Sequence, residues 1–547
     1  MIRSSTRLTR SVFMLTLCTV ALAQGDPQHA PPFTPSTQTF SAVASTSTPT
    51  DAQLTDPATT DWPTTGRDPG SQRHSPLKQI TTANVATLKK LCTLDLHLST
   101  TFETSLVEVG GTLYFTTPSG TYAADATNCK VIWHEEYRYQ DPIVYPAQRG
   151  VAVSQGRVMR GAPDGHVLAY DAKTGKLLWN AHLVDSTSGA FVPAAPIAFD
   201  GKLLIGTAGG DWAANGYITA LDIRTGKELW RFNAIPQAGE FGADTWPNDQ
   251  AREHGGGANW TSVSLDAATR TLYVPLGNPQ ADLNGGNRAG ANLFSDSVVA
   301  LDIDTGKLKW YVQQLAHDVH DWDTSAAPAL YSRAGKPYMT LGTKAADLFI
   351  YDRATHKLVS KTPVSTQLNT GTPPVEKNPQ RTCPGMNGGV EWNGPAYHPG
   401  LALIYINTVD FCAAYTLKPG KLIPGMFYFD GSATFDPPGK ASGWTYAVNA
   451  ADGSVAWKVH QKTPMLSGLA STDGGLLFTG DMNGEVQALD AKTGKVLYRD
   501  QTKVAILGGI ITYLAGGRQY VAVAAGGTWT GPLPKPSGNR VVLYRLP

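Results

Sequence analysis

The chain has 547 residues, with 45 Lys and Arg against 44 Asp and Glu, so its formal net charge is only +1. It contains no long basic or acidic run, which removes the electrostatic basis for binding nucleic acid or an anionic membrane surface. With 56 Gly, 37 Pro and only 16% charged residues, the composition favours a turn-rich β protein over a helical one.

Residues 1–23 have the features of a secretory signal peptide. Three arginines precede an apolar run at 11–23, which is too short to span a bilayer and ends in small residues. We expect cleavage near Ala23; an uncleaved anchor is the alternative. Residues 24–61 are rich in Pro, Ser, Thr and Ala, and are predicted to be a flexible linker before a single domain at 62–547. Export predicts a periplasmic location, with no membrane span after processing.

Four cysteines remain once a signal peptide containing Cys18 is removed. An even number in an oxidising compartment favours two disulfides. The pairing that is local in sequence joins Cys92 to Cys129 and Cys383 to Cys412. These spacings do not resemble those of a zinc site, and no Cys-x-x-Cys-His motif for a c-type haem occurs in the sequence.

A repeat of the form small–x–Asp–x–x–Thr–Gly–Lys–x–x–Trp dominates the chain after Trp62. Its clearest copies are AYDAKTGKLLW at 169–179, ALDIRTGKELW at 220–230 and ALDIDTGKLKW at 300–310. Each copy predicts a strand, a tight turn and a second strand. The Asp side chain holds the turn, the Gly takes positive φ, and the Trp packs between neighbouring sheets.

The spacing of the repeat is typical of propeller blades. The Asp positions of three clear and four weaker copies are 125, 171, 222, 302, 352, 449 and 490. Most lie 41–51 residues apart, while the wide gaps 222–302 and 352–449 leave room for insertions or an unmarked blade. Adding flanking strands near 90–96 and 519–546 gives an all-β, eight-bladed β-propeller, in which the N- and C-terminal strands share one blade and close the ring. A seven-bladed ring is the alternative.

The repeat and several local motifs together resemble the quinoprotein alcohol dehydrogenase family, which includes glucose dehydrogenases. The resemblance runs from Trp62 to the C-terminus. It includes WPTTGRDPGSQRHSPLKQITTANV at 62–85 and LASTDGGLLFTGDMNGEVQALDAKTGK at 469–495. It implies an enzyme that uses pyrroloquinoline quinone (PQQ) and a metal ion to oxidise the hydroxyl group of an alcohol or an aldose.

The same resemblance implies a set of cofactor contacts. These are Glu103, Arg149, Trp260, Lys344, Trp392 and Asn393. Arg149, in a segment like the family's Asn-Arg-Gly, would grip a quinone carboxylate with its planar guanidinium. Trp260 would give a flat surface beneath the quinone ring. Lys344 would donate to the reactive oxygens and stabilise the charge that develops on them during catalysis.

The metal ligands implied by the resemblance are Asp211, Asn278, Asp321 and Asp323. Carboxylate and amide oxygens are the donors that a hard cation prefers. Asp321 would also accept the substrate hydroxyl proton as general base. An acid at the offset of Asp323 is typical of lanthanide-dependent members, but glucose-dehydrogenase-like members also carry one, so calcium is expected ahead of a lanthanide.

Three positions depart from the family pattern. Ile143 and Val144 stand where many members have a vicinal disulfide, and Pro193 stands where a Thr of some relatives hydrogen-bonds the quinone. A quinoprotein that has lost activity is therefore one alternative. A non-catalytic envelope scaffold, which would share the repeat, is another. The dehydrogenase remains the leading hypothesis, with electrons passing to a separate cytochrome c or quinone because no haem motif is fused.

Overall fold

The computed structural model describes residues 33–40, 44–56, 58–529 and 538–547. The predicted signal peptide lies outside these ranges. The chain divides into two units, Met1–Thr34 and Pro35–Pro547, and the second contains every strand described below. Among the described residues, no helix has both the length and the apolar character needed to cross a membrane.

Over its described residues, the second unit contains eight sheets that are each built on four antiparallel strands, two of them with a fifth strand added at the edge, consistent with the eight predicted blades. Blade 1 consists of β4 (Val107–Val109), β5 (Thr112–Thr116), β6 (Gly120–Asp125) and β7 (Val131–Glu136). Blade 2 consists of β8 (Ala152–Ser154), β9 (Arg157–Gly161), β10 (His166–Asp171) and β11 (Leu177–His182). Blade 3 consists of β12 (Ile197–Phe199), β13 (Lys202–Gly206), β14 (Tyr217–Asp222) and β15 (Glu228–Asn233). Blade 4 consists of β16 (Ser264–Asp266), β17 (Thr271–Pro275), β18 (Ser297–Asp302) and β19 (Leu308–Gln313).

The later blades follow the same pattern. Blade 5 consists of β20 (Ala329–Arg333), β21 (Lys336–Gly342), β22 (Asp347–Asp352) and β23 (Lys357–Pro363). Blade 6 consists of β25 (Ala396–His398), β26 (Leu403–Asp410), β29 (Ser442–Asn449) and β30 (Val455–Gln461). Blade 7 consists of β31 (Ala470–Thr472), β32 (Leu476–Gly480), β33 (Glu485–Asp490) and β34 (Val496–Gln501). Blade 8 consists of β35 (Ile510–Ala515), β36 (Arg518–Ala525), β37 (Arg540–Arg545) and β3 (Lys89–Asp95).

Blade 8 closes the ring in the predicted way. Strand β3 comes from the start of the domain and pairs antiparallel with β37, the last strand of the chain. One buried apolar cluster then joins blades 7, 8 and 1. The predicted Cys92–Cys129 disulfide is present and ties β3 to the repeat turn of blade 1. Hydrogen bonds thus join β3 to the last strand, while apolar packing and a covalent bond tie blade 8 to blade 1.

The repeat tryptophans pack between blades as predicted. The Trp179 indole donates a hydrogen bond from Nε1 to the Ile223 carbonyl of blade 3, at 2.9 Å. A Cβ on Gly226, which has a φ of +73°, would lie 2.6 Å from the same indole. The repeat glycine is therefore needed for two reasons, its positive φ and the close approach of the previous blade's Trp. Trp133, Trp230 and Trp457 make the equivalent hydrogen bond.

Insertions explain the two wide gaps in the repeat. In the gap 222–302, long segments lie before β16 and between β17 and β18. In the gap 352–449, the insertion contains a separate three-stranded sheet of β24 (Arg381–Thr382), β27 (Ala413–Leu417) and β28 (Gly431–Phe435). The predicted Cys383–Cys412 disulfide links β24 to β27 across this small sheet.

The structure departs from the predicted flexible linker in part of 24–61. Strand β1 (Ser36–Thr39) pairs with β11 as a fifth strand of blade 2, and helix α1 (Asp51–Thr55) buries Leu54. The compositional prediction missed these contacts because short polar strands gain their stability from an existing sheet edge.

The remaining elements are short. They are β2 (His74–Ser75), which pairs parallel with β31, helix α2 (Asp249–Glu253), and the 3-10 turns Val85–Thr87, Ser186–Ser188, Gly210–Trp212, Ala243–Thr245, Gly285–Asn287 and Pro438–Lys440.

Candidate active site

The chain direction within a blade places the predicted site residues together. In a four-stranded antiparallel blade, the segment that enters the first strand and the turn between the second and third strands lie at the same end. All ten predicted site residues fall in such segments, and nine of them line one cavity of 810 Å³. They are Glu103, Arg149, Asp211, Trp260, Asn278, Asp321, Asp323, Lys344 and Trp392.

Asn393 is the exception. It does not line the cavity, and its side-chain amide donates to the Leu466 and Leu507 carbonyls, at 2.5 and 3.1 Å. The structure therefore does not support direct contact between this side chain and a cofactor. Pro193, which stood out as a departure from the family pattern, does not line the cavity either. Its carbonyl accepts the backbone N–H of Arg149, at 3.1 Å, and helps to position that residue.

Lys344 connects two of the acids in the cavity. Its Nζ donates to Asp321 Oδ1 and to Asp323 Oδ2, each at 2.9 Å. Burial opposes a charge on Lys344, but the two carboxylates raise its pKa well above the usual value, so it stays protonated. Burial also raises the pKa of Asp321, and Lys344 opposes that effect. Asp321 has a φ of +61°, a conformation that Asp tolerates better than most residues.

Asp323 links this ion-pair group to the indole wall. Its Oδ1 accepts the Trp260 Nε1–H and the Asn278 backbone N–H, both at 3.1 Å. A Cβ on Gly277 would lie 2.1 Å from the same oxygen, so a glycine is required for this approach. The carboxylate thus fixes the orientation of the Trp260 ring relative to Lys344.

Arg149 lies between two indoles. Its Cζ is 4.7 Å from the Trp260 ring centre and 5.6 Å from that of Trp392. One guanidinium nitrogen is 2.6 Å from Glu103 Oε2, and another donates to the Trp260 carbonyl at 3.0 Å. The carboxylate that Arg149 binds in this structure is therefore that of Glu103, which is itself almost fully buried.

Oxygen atoms are concentrated around Asn278. Its Nδ2 donates to Asp282 Oδ1, at 2.6 Å. Burial and the charge of Asp323 raise the pKa of Asp211 to about 6, and burial and Asp211 raise that of Asp282 well above its usual value. Neighbouring carboxylates that repel one another in this way form a site where a multivalent cation would be stabilising.

The sequence reasoning missed two acids of this region. Asp282 follows Asn278 by four residues, and no motif marked it. Glu391 lines the cavity, and burial raises its pKa to about 7. It immediately precedes Trp392, so its place in that motif was the available signal. Both are charged residues in loops, and only their burial shows that they belong to the site.

An aromatic rim at the cavity was also missed. Its members are Tyr145, Phe191, Trp212, Phe427, Phe429, Phe435 and Trp529. The Trp212 ring is 6.1 Å from that of Tyr145 and 5.5 Å from that of Phe427. Of the two residues at the vicinal-disulfide position, Val144 packs beside this aromatic cluster, whereas Ile143 is exposed.

Comparison with known proteins settles the family. The model of the glucose/ethanol/alcohol dehydrogenase β-propeller domain matches residues 62–365, more than half of the chain. A quinohemoprotein alcohol dehydrogenase, ADH-IIG, of Pseudomonas putida is 31% identical over 546 residues, covering 89% of this chain and 76% of the relative. The chain belongs to this PQQ-dependent alcohol dehydrogenase family. The membership favours the dehydrogenase hypothesis over the non-catalytic scaffold.

Other relatives agree with this membership. A lanthanide-dependent methanol dehydrogenase of Methylacidiphilum fumariolicum is 29% identical, covering 86% of this chain and 85% of the relative. The solved structure of a europium-containing methanol dehydrogenase has a TM-score of 0.82 and 26% identity, covering 90% of this chain and 99% of that one. The model of outer membrane protein assembly factor BamB matches residues 441–541. A solved BamB structure, at 14% identity and a TM-score of 0.51, shows the shared fold alone.

The residues of the cavity fit the groups that the family implies. Carboxylates of Asp211, Asp282, Asp321 and Asp323, with the amide of Asn278, give the oxygen donors that calcium or a lanthanide prefers. The Trp260 and Trp392 indoles and the Arg149 guanidinium give flat surfaces and a positive charge for a planar polycarboxylate such as PQQ.

Proposed function

We propose that the protein is a periplasmic PQQ-dependent dehydrogenase that oxidises the hydroxyl group of an alcohol, with Asp321 as its general base. The observation that carries this proposal is the meeting of Asp321, Lys344 and Trp260 in one cavity, in a chain of this family. When bound, PQQ would supply the redox chemistry as the hydride acceptor. The residues described below supply binding, orientation and proton transfer.

Asp321 is positioned to remove the hydroxyl proton. Lys344 donates to its Oδ1, which leaves Oδ2 as the atom that we propose accepts the proton. A general base must be ionised, and both the Lys344 ammonium and a cation at the neighbouring oxygens favour the carboxylate form. The second hydrogen bond of Lys344, to Asp323, keeps the ammonium at a fixed place where it would stabilise developing negative charge.

We propose that the metal ligands are Asp211, Asn278 and Asp321, with Asp323 beside them, and that calcium is the resident ion. Asp323 already accepts three hydrogen bonds, from Trp260, Asn278 and Lys344. A carboxylate used in this way orients the site and contributes less of its charge to the ion. This favours calcium over a lanthanide, although the relatives include lanthanide-dependent enzymes.

The aromatic rim supports an alcohol with an apolar substituent as the substrate, in preference to an aldose. Trp212 and Phe427 present large apolar surfaces at the cavity, and the Phe427 side chain is 59% exposed. An alkyl or aryl group would gain binding energy there by leaving water. We further propose that electrons leave the reduced cofactor for a cytochrome c or a quinone, in keeping with relatives named quinohemoprotein alcohol dehydrogenase and alcohol dehydrogenase (quinone).

Reconstitution tests this proposal. The purified protein, loaded with PQQ and calcium, is expected to reduce an artificial electron acceptor with aliphatic or aromatic alcohols, and more slowly with aldoses. The Asp321→Asn variant is expected to lose at least a hundredfold in turnover while remaining folded, with only a small fall in unfolding temperature because Lys344 keeps Asp323 as its partner. Asp244→Asn, which changes an exposed acid that does not line the cavity, is the matched control. Full activity in Asp321→Asn would refute the assignment of the base.

The same preparation tests the metal. Replacing calcium with lanthanum in the metal-free protein is expected to lower turnover, and higher turnover with lanthanum would contradict the proposed calcium site. The proposed location is tested by the N-terminal sequence of the mature protein from a periplasmic extract. A mature chain that still begins at Met1 would refute cleavage near Ala23.

A further inference from the structure

A second group of metal-ligating side chains lies at blade 2, apart from the residues that line the cavity. Strands β10 and β11 place His166 directly opposite His182. Asp141, in the connection that enters blade 2, points its Oδ2 at both imidazoles. The distances from this oxygen are 3.1 Å to His166 Nε2 and 3.5 Å to His182 Nε2.

The contact with Asn180 sets the tautomer of His166. Its Nδ1 is 2.7 Å from the Asn180 side-chain oxygen, which can only accept, so Nδ1 carries the proton. The Asn180 amide lies near the Tyr137 hydroxyl, which donates its own proton to Asp164 Oδ2, at 2.9 Å.

The consequence is an electron-rich site. With the proton on Nδ1, neutral His166 turns the lone pair of Nε2 toward the Asp141 carboxylate. Two acceptors at 3.1 Å repel each other unless a proton or a metal cation lies between them. The side chain of His166 is only 4% exposed, so water is largely prevented from screening this contact.

The separations match those of a tetrahedral metal site. Zinc lies about 2.0–2.1 Å from imidazole nitrogen and carboxylate oxygen, so two of its ligand atoms are roughly 3.3–3.4 Å apart. The two observed separations are 3.1 and 3.5 Å, and all three ligand atoms lie within 4.8 Å of one another. The imidazole rings are stacked at 4.3 Å, so the partly exposed His182 ring must rotate to aim its nitrogen at the shared ion.

We propose that Asp141, His166 and His182 bind a divalent transition-metal ion, zinc in the first instance, with water completing its coordination. Two imidazoles and one carboxylate are a donor set that suits zinc and not calcium. The hydrogen bond from His166 to Asn180 is the outer contact that fixes a ligating histidine in known metal sites. The ion would fasten the connection 137–151, which carries Tyr145 and Arg149 to the cavity, onto blade 2.

Another group in the described residues, His74, His398 and Asp473, has ligand atoms at similar separations. There, however, the Leu401 backbone N–H donates to His398 Nδ1, at 3.3 Å, and burial lowers the pKa of this histidine, so the neutral ring carries its proton on Nε2. Neither nitrogen of His398 then offers a lone pair to an ion, and the group is better explained as a hydrogen-bonded cluster.

Zinc titration of the whole mature protein tests the proposal. The protein is first freed of metal with a chelator and then supplied with excess calcium, so that the oxygen-lined cavity does not compete for zinc. Calorimetric titration with zinc chloride at pH 7.5 is expected to show one saturable site per chain. His182→Gln and Asp141→Asn are each expected to weaken it by tenfold or more. Both side chains are partly exposed, so both variants should fold.

Two controls separate this site from others. His134→Gln removes a surface histidine 3.2 Å from Glu136 that has no third ligand, and zinc affinity should be unchanged. His398→Gln tests the cluster described above, and should also leave affinity unchanged. The unfolding temperatures of the metal-free variants check their folding.

The possible outcomes decide the matter. Loss of the site in both His182→Gln and Asp141→Asn, but not in the controls, supports the proposal. It is overturned if the wild-type protein has no saturable site, if either variant keeps wild-type affinity, or if only His398→Gln loses the site. As an independent readout, zinc should slow hydrogen exchange in residues 139–147 of the wild-type protein and have no effect in Asp141→Asn.

Discussion

Replacement of Lys344 by Met offers the sharpest test of the charge arrangement in the cavity. The substitution keeps most of the side-chain volume and removes only the ammonium group. Lys344, Asp321 and Asp323 have side chains that are 8%, 10% and 6% exposed, respectively. The variant therefore leaves two buried carboxylates without the cation that both of them contact at 2.9 Å.

The expected magnitude follows from the burial of the three groups. Breaking a buried ion pair by removing one partner costs about 3–5 kcal/mol, because the remaining charge is left uncompensated. Unfolding entropy is about 2.1 cal/mol/K per residue, so a domain of roughly 500 residues loses ~3–5 °C in unfolding temperature for that cost. Turnover is expected to fall about 10²–10³-fold, since an oriented cation at the developing charge is lost.

Calcium distinguishes this account from simple damage to the fold. In the variant, a bound cation takes over the neutralisation of Asp321 and Asp323. Calcium should therefore raise the unfolding temperature of Lys344→Met by more than that of the wild type. Lys361→Met is the matched control, because Lys361 pairs with Asp347 at 3.0 Å but is 53% exposed, and such pairs contribute under about 1 kcal/mol.

Scanning calorimetry with and without calcium, and dye-linked turnover of the reconstituted enzyme, give the two measurements. The reasoning is refuted if Lys344→Met unfolds at the wild-type temperature and turns over at the wild-type rate. An equal calcium effect in variant and wild type would show that the ammonium and the metal do not compensate the same carboxylates.

Other predictions concern stability and are read from urea unfolding. Replacing Cys92 and Cys129 by Ser opens the 37-residue loop at the ring closure and should cost about 4 kcal/mol; no change would exclude a role for this disulfide. Trp179→Phe leaves the Ile223 carbonyl unpaired and should cost about 1–3 kcal/mol, whereas a neutral result would contradict the inter-blade hydrogen bond. Burial lowers the pKa of His74 from 6.5 to about 4, so between these pH values only the unfolded chain binds a proton at this histidine. The free energy of unfolding should therefore fall by up to about 3 kcal/mol from pH 6.5 to 4, and by less in His74→Gln.

Much of the fold is encoded locally and was therefore predictable. Each repeat carries its own turn, in which Asp171, for example, accepts the Thr174 backbone N–H at 2.8 Å. Five of the seven copies also carry a Trp, and in four of these the Trp packs on the glycine turn of the next copy, as Trp179 does on Gly226. Such short-range features persist in the sequence as a pattern. The same holds for the disulfides, whose partners are separated by 37 and 29 residues.

The weaker copies show how the pattern tolerates change. His356 occupies the repeat glycine position with a φ of +58°, and its ring stacks on Trp310 at 4.2 Å instead of leaving room for it. Cys129 occupies the same position in the first copy, with a φ of +63°, and forms the disulfide to Cys92. The strand–turn–strand prediction was therefore correct even where the glycine was missing.

The site was predictable only as a set of positions, and its assembly depended on the tertiary structure. The motif at 317–323 marks Asp321 as a residue of interest, but nothing local states that Lys344 reaches it. Asn393 shows the limit of motif reasoning, because its neighbour Trp392 lines the cavity while its own amide bonds to backbone carbonyls. The roles of the nine residues in the cavity remain predictions for the experiments described above.

The sequence by itself determined the blades, their closure and the disulfide pairing, because these rest on turns, side-chain periodicity and contacts between successive repeats. Only the tertiary structure decided that loops from most of the blades share one cavity, that Asp282 and Glu391 are buried in its surroundings, and that an insertion supplies Phe427, Phe429 and Phe435 of its aromatic rim. The physical reason is that burial and charge coupling depend on neighbours distant in the chain. No local pattern of residues carries that information.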